Sequence, residues 1–409
     1  MSRHLVRAAG LAIALGLAAA GVTPGNAATP AATTSPSTIA SWEQWQKVPG
    51  IFDIGGPRSD GRLVVAANGQ LSLMAADGTL QPFARGSGGY QIDFSGTPEA
   101  YMTVSPGKRD DADGCDFKPD DVFVLDTGKP PGVIKVDASG TKSRLADIPA
   151  EGVNAITFDT TGTFGNRLIV TGPRQGKTGV YTVGCGGQVK AVNDSAPTLE
   201  GGIAVAPKGF GLFGGNLVAP DELTGKLYAI DAGGMVRTIA TSTLPVGGDI
   251  GAESLGFIPD GFHARGGFVY VADRLTTGNP HPGNDALLRL NASELERFNL
   301  ADGDLLVATE GGNFLELVHC ADGCTIRQIA GGVPTAHGEG HVVAVVNSSG
   351  RGTAGNGAHA PSGGSGSSSP NLAIIAVAVG VVLLLIAGVV ILVIRSRREK
   401  NYLGPGAGV

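Results

Sequence analysis

The sequence predicts an all-β protein, a β-propeller of six four-stranded blades, and three observations support this prediction. Glycine accounts for 66 of 409 residues, whereas aromatic residues make up only 5%. So much glycine disfavours helices, in which each glycine costs about 1 kcal/mol relative to alanine. Short runs of valine, isoleucine and leucine alternate with turn residues, and a four-run pattern recurs at a step near 50 residues. Four strands in such a step are typical of a propeller blade.

The clearest copy of the repeat spans residues 199–240. Its four apolar runs, at 203–206, 216–219, 227–230 and 235–239, are separated by turns rich in glycine and aspartate. A lone meander cannot bury both of its faces, so it must stack on copies of itself. The best internal match aligns residues 162–170 with 211–219, which places Phe213 49 residues after Phe164.

The chain in order gives six units and a last strand. Residues 28–49 are predicted to be a linker, with a short helix at 41–48, and the propeller is expected at 50–346. The predicted strands are 62–66, 70–74 and 80–83; then 101–104, 122–125, 133–136 and 143–145; then 155–158, 167–170, 180–183 and 189–192; then the four runs of 199–240; then 255–258, 268–272 and 287–290; and then 305–308, 314–318 and 325–329. The last strand, 341–346, is expected to close the ring by completing the first blade. Five or seven blades remain open, and a β-sandwich or an open solenoid is the alternative.

Both ends of the chain predict an extracellular protein held in a membrane. Residues 1–27 have the basic start, apolar run and small residues of a signal peptide. An uncleaved anchor is the alternative, but the apolar run is short for a span of ~20 residues. Residues 371–394 carry no charge and are long enough to form a transmembrane helix, and residues 347–370 read as a flexible stalk rich in glycine and serine. The basic tail at 395–409 predicts a single-pass cell-membrane protein with its ectodomain outside and its C-terminus in the cytoplasm.

Composition and cysteines narrow the class further. A formal net charge of −6 argues against nucleic-acid binding. The expected partners are the membrane, through the C-terminal helix, and an unknown extracellular ligand or protein. Cys320 and Cys324 bracket a turn, which predicts a local disulfide and leaves Cys115 and Cys185 as the second pair. A metal cluster is the alternative, but the spacing lacks a second close pair.

Acidic residues precede most of the predicted inner strands at a recurring position. They are Glu99, Glu151, Glu200, Glu253 and Glu339, with Asn154 close behind Glu151. In a four-stranded blade, the loop leading into the inner strand lies on the same face as the loop between the second and third strands. That second loop contributes Asp221, Glu222, Asp273, Arg274 and Glu310. We therefore expect an acid-lined face around one mouth of the central channel.

This pattern predicts a cation site. Several carboxylates and one amide around an axis form a cage of hard oxygen ligands, which suits Ca²⁺ or another divalent cation. The predicted metal ligands are Glu99, Asn154, Glu200, Glu253 and Glu339. Like charges so close together need a cation, or some of them must be protonated. The alternative is that each glutamate caps a turn or accepts backbone hydrogen bonds.

Three short segments resemble the propellers of the senescence-marker and gluconolactonase family, which are of the six-bladed NHL-like type. Residues 199–203 (LEGGI) and 338–342 (GEGHV) look like its GEGP-type inner strand, and residues 153–159 (VNAITFD) look like its PNG-type strand. In that family a glutamate of the first motif and the asparagine of the second hold a divalent metal over a lactone. The resemblance implies that role for Glu200 or Glu339 and for Asn154.

Two functions follow from the sequence. The first is a membrane-anchored extracellular propeller that binds a ligand on its acid-lined face without chemistry. The second is a metal-dependent lactonase or esterase, in which the metal polarises the carbonyl and lowers the pKa of bound water, and Asp221 or Asp273 is the candidate base. The incomplete catalytic pattern favours the binding module.

Overall fold

The computed structural model describes residues 39–83 and 100–347, which form strands joined by short turns. In chain order the first strands are β1 (Ala40–Ser41), β2 (Glu43–Lys47), β3 (Ile51–Gly55), β4 (Leu63–Ala67), β5 (Gln70–Met74), β6 (Leu80–Pro82), β7 (Met102–Val104), β8 (Arg109–Asp110), β9 (Cys115–Asp116), β10 (Val122–Asp126), β11 (Gly132–Val136), β12 (Lys142–Asp147), β13 (Ala155–Phe158), β14 (Leu168–Arg174), β15 (Lys177–Val183) and β16 (Val189–Ala196). The remainder are β17 (Ala204–Val205), β18 (Leu217–Asp221), β19 (Lys226–Ile230), β20 (Val236–Thr241), β21 (Ala252–Phe257), β22 (Gly267–Asp273), β23 (Ala286–Asn291), β24 (Leu305–Thr309), β25 (Leu315–Cys320), β26 (Cys324–Gly331) and β27 (Gly338–Val346). The helices are short: α1 (Phe262–Arg265), α2 (Ala292–Leu295) and two 3₁₀ turns, Gly211–Phe213 and Glu296–Phe298.

Six sheets form the blades of a propeller, which confirms the predicted fold. The first four blades are β3-β4-β5-β6, β7-β10-β11-β12, β13-β14-β15-β16 and β17-β18-β19-β20. The fifth is β21-β24-β25-β26, with β1 added in parallel at its edge, and the sixth is β27-β22-β23-β2. The inner strands β3, β7, β13, β17, β21 and β27 lie side by side in this order around the channel.

The fifth and sixth blades are interlaced, so the predicted placement of their inner strands is wrong, although the grouping of β22 with β23 and of β24 with β25 and β26 is confirmed. The chain enters the fifth blade at β21 and crosses to the sixth blade for β22 and β23. It then returns to the fifth blade for β24, β25 and β26, and ends in the sixth with β27. Apolar periodicity locates strands but does not specify their partners. Here β22–β23 and β24–β25–β26 pair in sequence order, whereas the inner strand β21 pairs with β24 and the inner strand β27 pairs with β22.

Ring closure also differs from the prediction. The first blade has its own inner strand, β3, and β27 completes the sixth blade instead of the first. Residues 41–48 are not a helix, because β2 forms the outer strand of the sixth blade through pairing with β23. Both ends of the described propeller therefore meet in one blade, which leaves no open edge between the first and last sheets.

Apolar side chains between neighbouring blades form the core. Six buried clusters are present among the described residues, one at each interface between adjacent blades. The cluster between the interlaced blades includes Trp42, whose Nε1 donates a hydrogen bond to the carbonyl of Asn313 at 2.6 Å. Trp42 thus anchors the N-terminal strands in that core.

The segments that are predicted to associate with the membrane lie outside the described residues. Among residues 39–83 and 100–347, no helix combines the length and the apolarity that crossing a bilayer requires. The predicted signal peptide, stalk, transmembrane helix and tail all lie beyond these residues. These assignments stay predictions.

Candidate functional site

One end of the channel carries a group of charged side chains that we call the acid mouth. Its members come from the starts of inner strands, the residues just before them, and the loops after second strands, as the blade geometry predicts. They are Tyr101, Glu200, Glu222, Glu253, Arg274, Glu310, His337 and Glu339. Five of them, Tyr101, Glu253, Glu310, His337 and Glu339, are buried, whereas Glu200, Glu222 and Arg274 are only half-buried.

A continuous hydrogen-bonded chain crosses the acid mouth. Glu222 is hydrogen-bonded to Glu310, whose Oε1 lies 3.0 Å from His337 Nε2. The same Nε2 lies 3.4 Å from Glu339 Oε1. The Tyr101 hydroxyl lies 2.5 Å from Glu339 Oε2 and 3.1 Å from Glu253 Oε1, so it can donate to only one of them at a time. This hydrogen-bonded network links side chains from four blades.

Arg274 is the second cation of the acid mouth. It follows β22, and its Nη1 donates to Glu339 Oε1 at 2.6 Å. Its backbone N–H donates to the carbonyl of His337 at 2.8 Å, which fixes the strand end beside that histidine. Five glutamates therefore face one arginine and one histidine among the described residues of the mouth.

Backbone pairing holds Glu310 and His337 next to each other. The turn after β24 pairs with the segment before β27 through a bridge between Gly311 and His337. Gly338 N–H donates to the Glu310 carbonyl at 2.7 Å. His337 and Glu339 are two residues apart in extended chain, so both side chains point to the same face. The arrangement is thus set by the fold and does not depend on a ligand.

Glycines next to the glutamates make room for buried carboxylates. Gly201 has φ +70°, and a Cβ there would lie 2.1 Å from the side chain of Glu253. Gly340 has φ +71°, and a Cβ there would lie 2.2 Å from Asp53 Oδ1. The Glu-Gly pairs in residues 199–203 and 338–342 therefore have a steric cause, because the position after each glutamate must approach a neighbouring blade closely.

The crowding of carboxylates shifts their protonation. Burial, followed by the negative charges of Glu310 and Glu200, raises the pKa of Glu222 to about 8. Burial and the charge of Glu339 raise the pKa of Glu253 well above its usual range. Burial also raises the pKa of Glu310, although His337 opposes this. Several of these carboxyl groups share or hold protons at neutral pH when no cation is bound.

The pKa values of His337 and Glu339 are shifted in favour of the charged forms of both side chains. Burial alone would lower the pKa of His337, but its hydrogen bonds to Glu310 and Glu339 raise it to about 9. Burial would raise the pKa of Glu339, but His337 and Arg274 together lower it. Glu339 is therefore the fixed anion of the network, held between two cations.

A histidine–aspartate pair forms the floor of the acid mouth. His341 extends from the sixth blade, with Nδ1 3.0 Å from Asp53 Oδ1 of the first blade and Nε2 3.0 Å from the Ile156 carbonyl of the third. Asp53 is fully buried and also accepts the backbone N–H groups of Ile54, Met102 and His341. Burial would lower the pKa of His341, but the charge of Asp53 raises it. The pair crosses the channel and separates its two ends.

Beyond this floor lies a cavity of about 330 Å³. It is bounded by residues of all six inner strands, including Ile54, Met102, Phe158 and Val342. His341 is its one charged lining group among the described residues, and the polar groups beside it are threonines and a serine. The opposite end of the channel is therefore largely apolar.

The predicted metal ligands do not all occupy the acid mouth. Glu200, Glu253 and Glu339 lie there, whereas Glu99 is outside the described residues. Asn154 uses both polar atoms of its side chain within the fold: Nδ2 donates to the Leu199 carbonyl and Oδ1 accepts from Thr171, each at 2.8 Å. In this structure Asn154 joins two blades.

The candidate bases lie beside the network and stabilise turns. Asp221 accepts the hydroxyl of Thr224 at 2.6 Å. Asp273 accepts the backbone N–H of His337 at 2.9 Å and the side-chain amide of Asn284 at 3.0 Å. Glu151 is exposed and accepts the backbone N–H of Gln175 at 2.8 Å, which is the turn-capping alternative.

Sequence reasoning missed His337, Tyr101 and the His341–Asp53 pair. His337 precedes Glu339 by two residues, so strand periodicity places both on one face, but only acids and amides were considered as members of the pattern. Tyr101 stands at the start of an inner strand, where the same positional rule applies. Asp53 could not be found because the strand that carries it was not recognised.

Both predicted disulfides are present. Cys115–Cys185 ties the hairpin β8–β9 to the third blade, and Cys320–Cys324 closes the turn between β25 and β26. A second group of potential metal ligands, Asp110, Asp113 and Cys185, lies near the first disulfide. Arg167 occupies it, with Nε 3.0 Å from Asp110 and Nη2 2.5 Å from Asp113, and the sulfur is already bonded.

Comparison with known proteins finds similarity in fold only. No family model and no curated protein matches the chain. A streptogramin B lyase structure is 12% identical over 75% of this chain and 94% of its own, with a TM-score of 0.40. Regucalcin from Agrobacterium tumefaciens, described as a calcium-binding protein, is 13% identical over 71% and 78%, with a TM-score of 0.41. A gluconolactonase from Xanthomonas campestris is 15% identical over 57% and 69%, with a TM-score of 0.35.

The last two are propellers of the type that the sequence resembles. All three are distant, and these likenesses carry no information about the activity of this chain.

Proposed function

We propose that this protein is an extracellular ligand-binding propeller, anchored by a helix at residues 371–394, that binds a divalent cation and its ligand at the acid mouth. One observation carries the proposal. In the part of the chain that the structure describes, five glutamates converge there on one arginine and one histidine, and Glu253 is buried with one carboxylate oxygen, Oε2, that has no hydrogen-bond partner. A buried carboxylate oxygen without a partner is costly, and a nearby cation removes that cost.

The residues fit a divalent cation by chemistry. Carboxylates supply hard oxygen ligands, and the excess of negative charge in the mouth is what a cation compensates. When bound, the cation would neutralise the glutamates and offer open coordination positions to a ligand. The buried Glu253 and Glu339 would compensate the positive charge of the cation, while the half-buried Glu200 and Glu222 would be accessible to an incoming ligand.

Exposed apolar side chains on the same face suit a ligand with an apolar surface. Leu223 is 53% exposed, Val246 47% and Leu275 52%. Leu223 follows Glu222, Leu275 follows Arg274, and Val246 lies in the loop leading to β21, so all three stand in loops on the same face of the propeller as the acid mouth. Exposed apolar groups around a polar centre are typical of interaction sites.

The direct test is cation-dependent stabilisation of the full-length protein. After treatment with a chelator, millimolar divalent cations should raise the melting temperature, because a ligand that binds only the folded state stabilises it by mass action. Glu253→Gln keeps the shape of the side chain and should reduce this increase, whereas the matched control Glu151→Gln, an exposed glutamate, should leave it unchanged. Absence of any shift with Ca²⁺, Mg²⁺, Mn²⁺ and Zn²⁺ would refute the cation site.

Membrane display has its own test. Proteolysis of intact cells should remove the propeller and leave a short membrane-bound fragment that contains the basic tail. Protection of the propeller from the protease would show that it lies inside the cell.

A metal-dependent lactonase or esterase is the second candidate, and one observation favours it. Glu222 is half-buried, is hydrogen-bonded to Glu310, and has its pKa raised to about 8 by burial and neighbouring charges, so it would suit a general base near neutral pH. Turnover of a panel of lactones and aryl esters that is lost with chelator and in Glu222→Gln would support hydrolysis. A protein that binds a cation yet turns over none of them is a binding module.

A further inference from the structure

Three atoms within the acid mouth have the spacing of ligands around one small metal ion. His337 Nε2 lies 3.0 Å from Glu310 Oε1 and 3.4 Å from Glu339 Oε1, and one ligand atom from each residue falls within 4.8 Å of the others. Metal–ligand bonds of ~2.1 Å give ligand–ligand edges of about 3.0 Å in octahedral and about 3.4 Å in tetrahedral geometry. The two separations from His337 fall within this range, and the ligand atoms of Glu310 and Glu339 lie within 4.8 Å of each other.

The protein positions these three side chains before any ligand arrives. Glu310 and His337 stand on two segments that pair through the bridge between Gly311 and His337, and Glu339 follows on the same strand face as His337. All three residues are buried, with 6%, 2% and 2% of their surfaces exposed. Little side-chain entropy remains to be lost on binding, so the site is preorganised.

Two buried atoms on these neighbouring side chains have no hydrogen-bond partner among residues 39–83 and 100–347. They are His337 Nδ1 and Glu253 Oε2. Glu253 is 4% exposed and is joined to Glu339 through the hydroxyl of Tyr101. An ion held by the trio would place positive charge beside this uncompensated oxygen, and it would leave His337 Nδ1 as the N–H of a neutral imidazole.

We propose that Glu310, His337 and Glu339 form a mixed nitrogen–oxygen site for a transition-metal ion of the Mn²⁺, Co²⁺ or Zn²⁺ class. This inference rests on the proposed function, which places a divalent cation at the acid mouth, and it specifies the ligands and the metal class. Imidazole nitrogen suits these ions, whereas Ca²⁺ prefers oxygen ligands alone. When the ion binds, the proton on His337 Nε2 is released to solvent. Arg274 keeps its contact with Glu339.

The test compares metals and variants on the full-length protein after chelator treatment. Isothermal titration should show Zn²⁺ and Co²⁺ binding at least tenfold more tightly than Ca²⁺, and bound Co²⁺ should give visible absorption bands of a site with nitrogen and oxygen ligands. His337→Gln should weaken Zn²⁺ and Co²⁺ binding a hundredfold or more and abolish the bands. Glu310→Gln, which keeps the side-chain shape, should act likewise, and Glu151→Gln should change neither.

The outcomes of these experiments distinguish the nitrogen–oxygen site from the general proposal of a cation at the acid mouth. If Ca²⁺ binds as tightly as Zn²⁺ and His337→Gln has no effect, the nitrogen site is wrong while a cation at the acid mouth still stands. If no divalent ion binds, both proposals fail. If His337→Gln does not fold, the absorption bands and the metal affinities of folded Glu310→Gln decide the question alone.

Discussion

At one end of the central channel, five glutamates surround one arginine and one histidine, whereas the other end is an apolar cavity of about 330 Å³. The inner strands contribute to both ends: Glu253 and Glu339 lie near their starts, and residues such as Ile54, Phe158 and Val342 line the cavity. The other charged groups of the acid mouth come from segments just before inner strands and from loops after second strands. Charged and apolar positions are thus segregated along the repeat, so the same kind of blade supplies two environments.

The His341–Asp53 pair keeps the two environments apart, and breaking it should have the largest effect. Asp53→Leu would leave a buried cation uncompensated and remove the acceptor of three backbone N–H groups, which should cost about 3–5 kcal/mol of unfolding free energy. Denaturant unfolding would measure the loss. The double variant Asp53→Leu/His341→Leu, which removes both charges, should recover part of it. A loss under about 1 kcal/mol in the single variant would show that the floor is not needed.

The next effect concerns the tyrosine that bridges two glutamates of the acid mouth. Tyr101→Phe removes the hydroxyl that bonds to Glu253 Oε1 and one of the donors to Glu339, so it should lower the unfolding free energy by about 1–3 kcal/mol. It should also weaken cation binding. Tyr181→Phe is the matched control, because Tyr181 donates a single bond to the Pro149 carbonyl away from the mouth. Equal losses in both variants would argue against a special role for the acid mouth.

The pH dependence of stability should come mainly from the acid mouth, where the titrating groups lie, and not from the apolar end. Folded Glu222 has its pKa raised to about 8 and folded His337 to about 9, above the ordinary values of ~4.3 and ~6.5 in the unfolded chain. Their contributions are fully present below the unfolded values and are lost as pH rises through the folded ones. The melting temperature of the metal-free protein should therefore fall from pH 5 to pH 9.

Glu222→Gln provides the control for this profile. It should make the decline between pH 5 and 8 shallower, while Glu253, Glu310 and His337 still contribute there, and it should leave the part near pH 9, which belongs to His337. A saturating divalent cation should reduce the decline, since it replaces protons as the compensating charge. A melting temperature that rises with pH in the metal-free protein would contradict these assignments.

The smallest effect is expected at the apolar end. Ala204→Trp would project a large side chain from the lining of the cavity and should change cation affinity at the acid mouth less than twofold. Calorimetric titration with the same cations would measure it. A change comparable to that of a mouth variant would mean that the two ends communicate through the floor.

Much of the fold followed from local pattern. Glycine-rich turns and a step near 50 residues predicted six stacked meanders, and the first four blades follow the sequence order. The interlaced fifth and sixth blades could not be predicted, because apolar runs do not record which run they pair with. Residues 41–48 were misread for a similar reason: Trp42 and Trp45, three residues apart, fit one face of a helix, and only the pairing of β2 with β23 shows a strand.

The site was predicted in part. The rule that loops before inner strands and after second strands share a face correctly brought Glu200, Glu222, Glu253, Arg274, Glu310 and Glu339 together. It did not distinguish buried network members from turn caps such as Glu151, since both roles use the same residue type at the same position. Asn154 shows the same limit, because its bonds to Leu199 and Thr171 depend on the neighbouring blade.

The most direct measurement is a crystal structure of the protein grown or soaked with Zn²⁺ or Mn²⁺, with anomalous difference density collected at the metal edge. The account predicts one strong peak bounded by Glu310, His337 and Glu339, with metal–ligand distances of ~2.0–2.2 Å. A peak bounded by Asn154 and Glu200 instead, or no peak in the acid mouth at saturating metal, would contradict it.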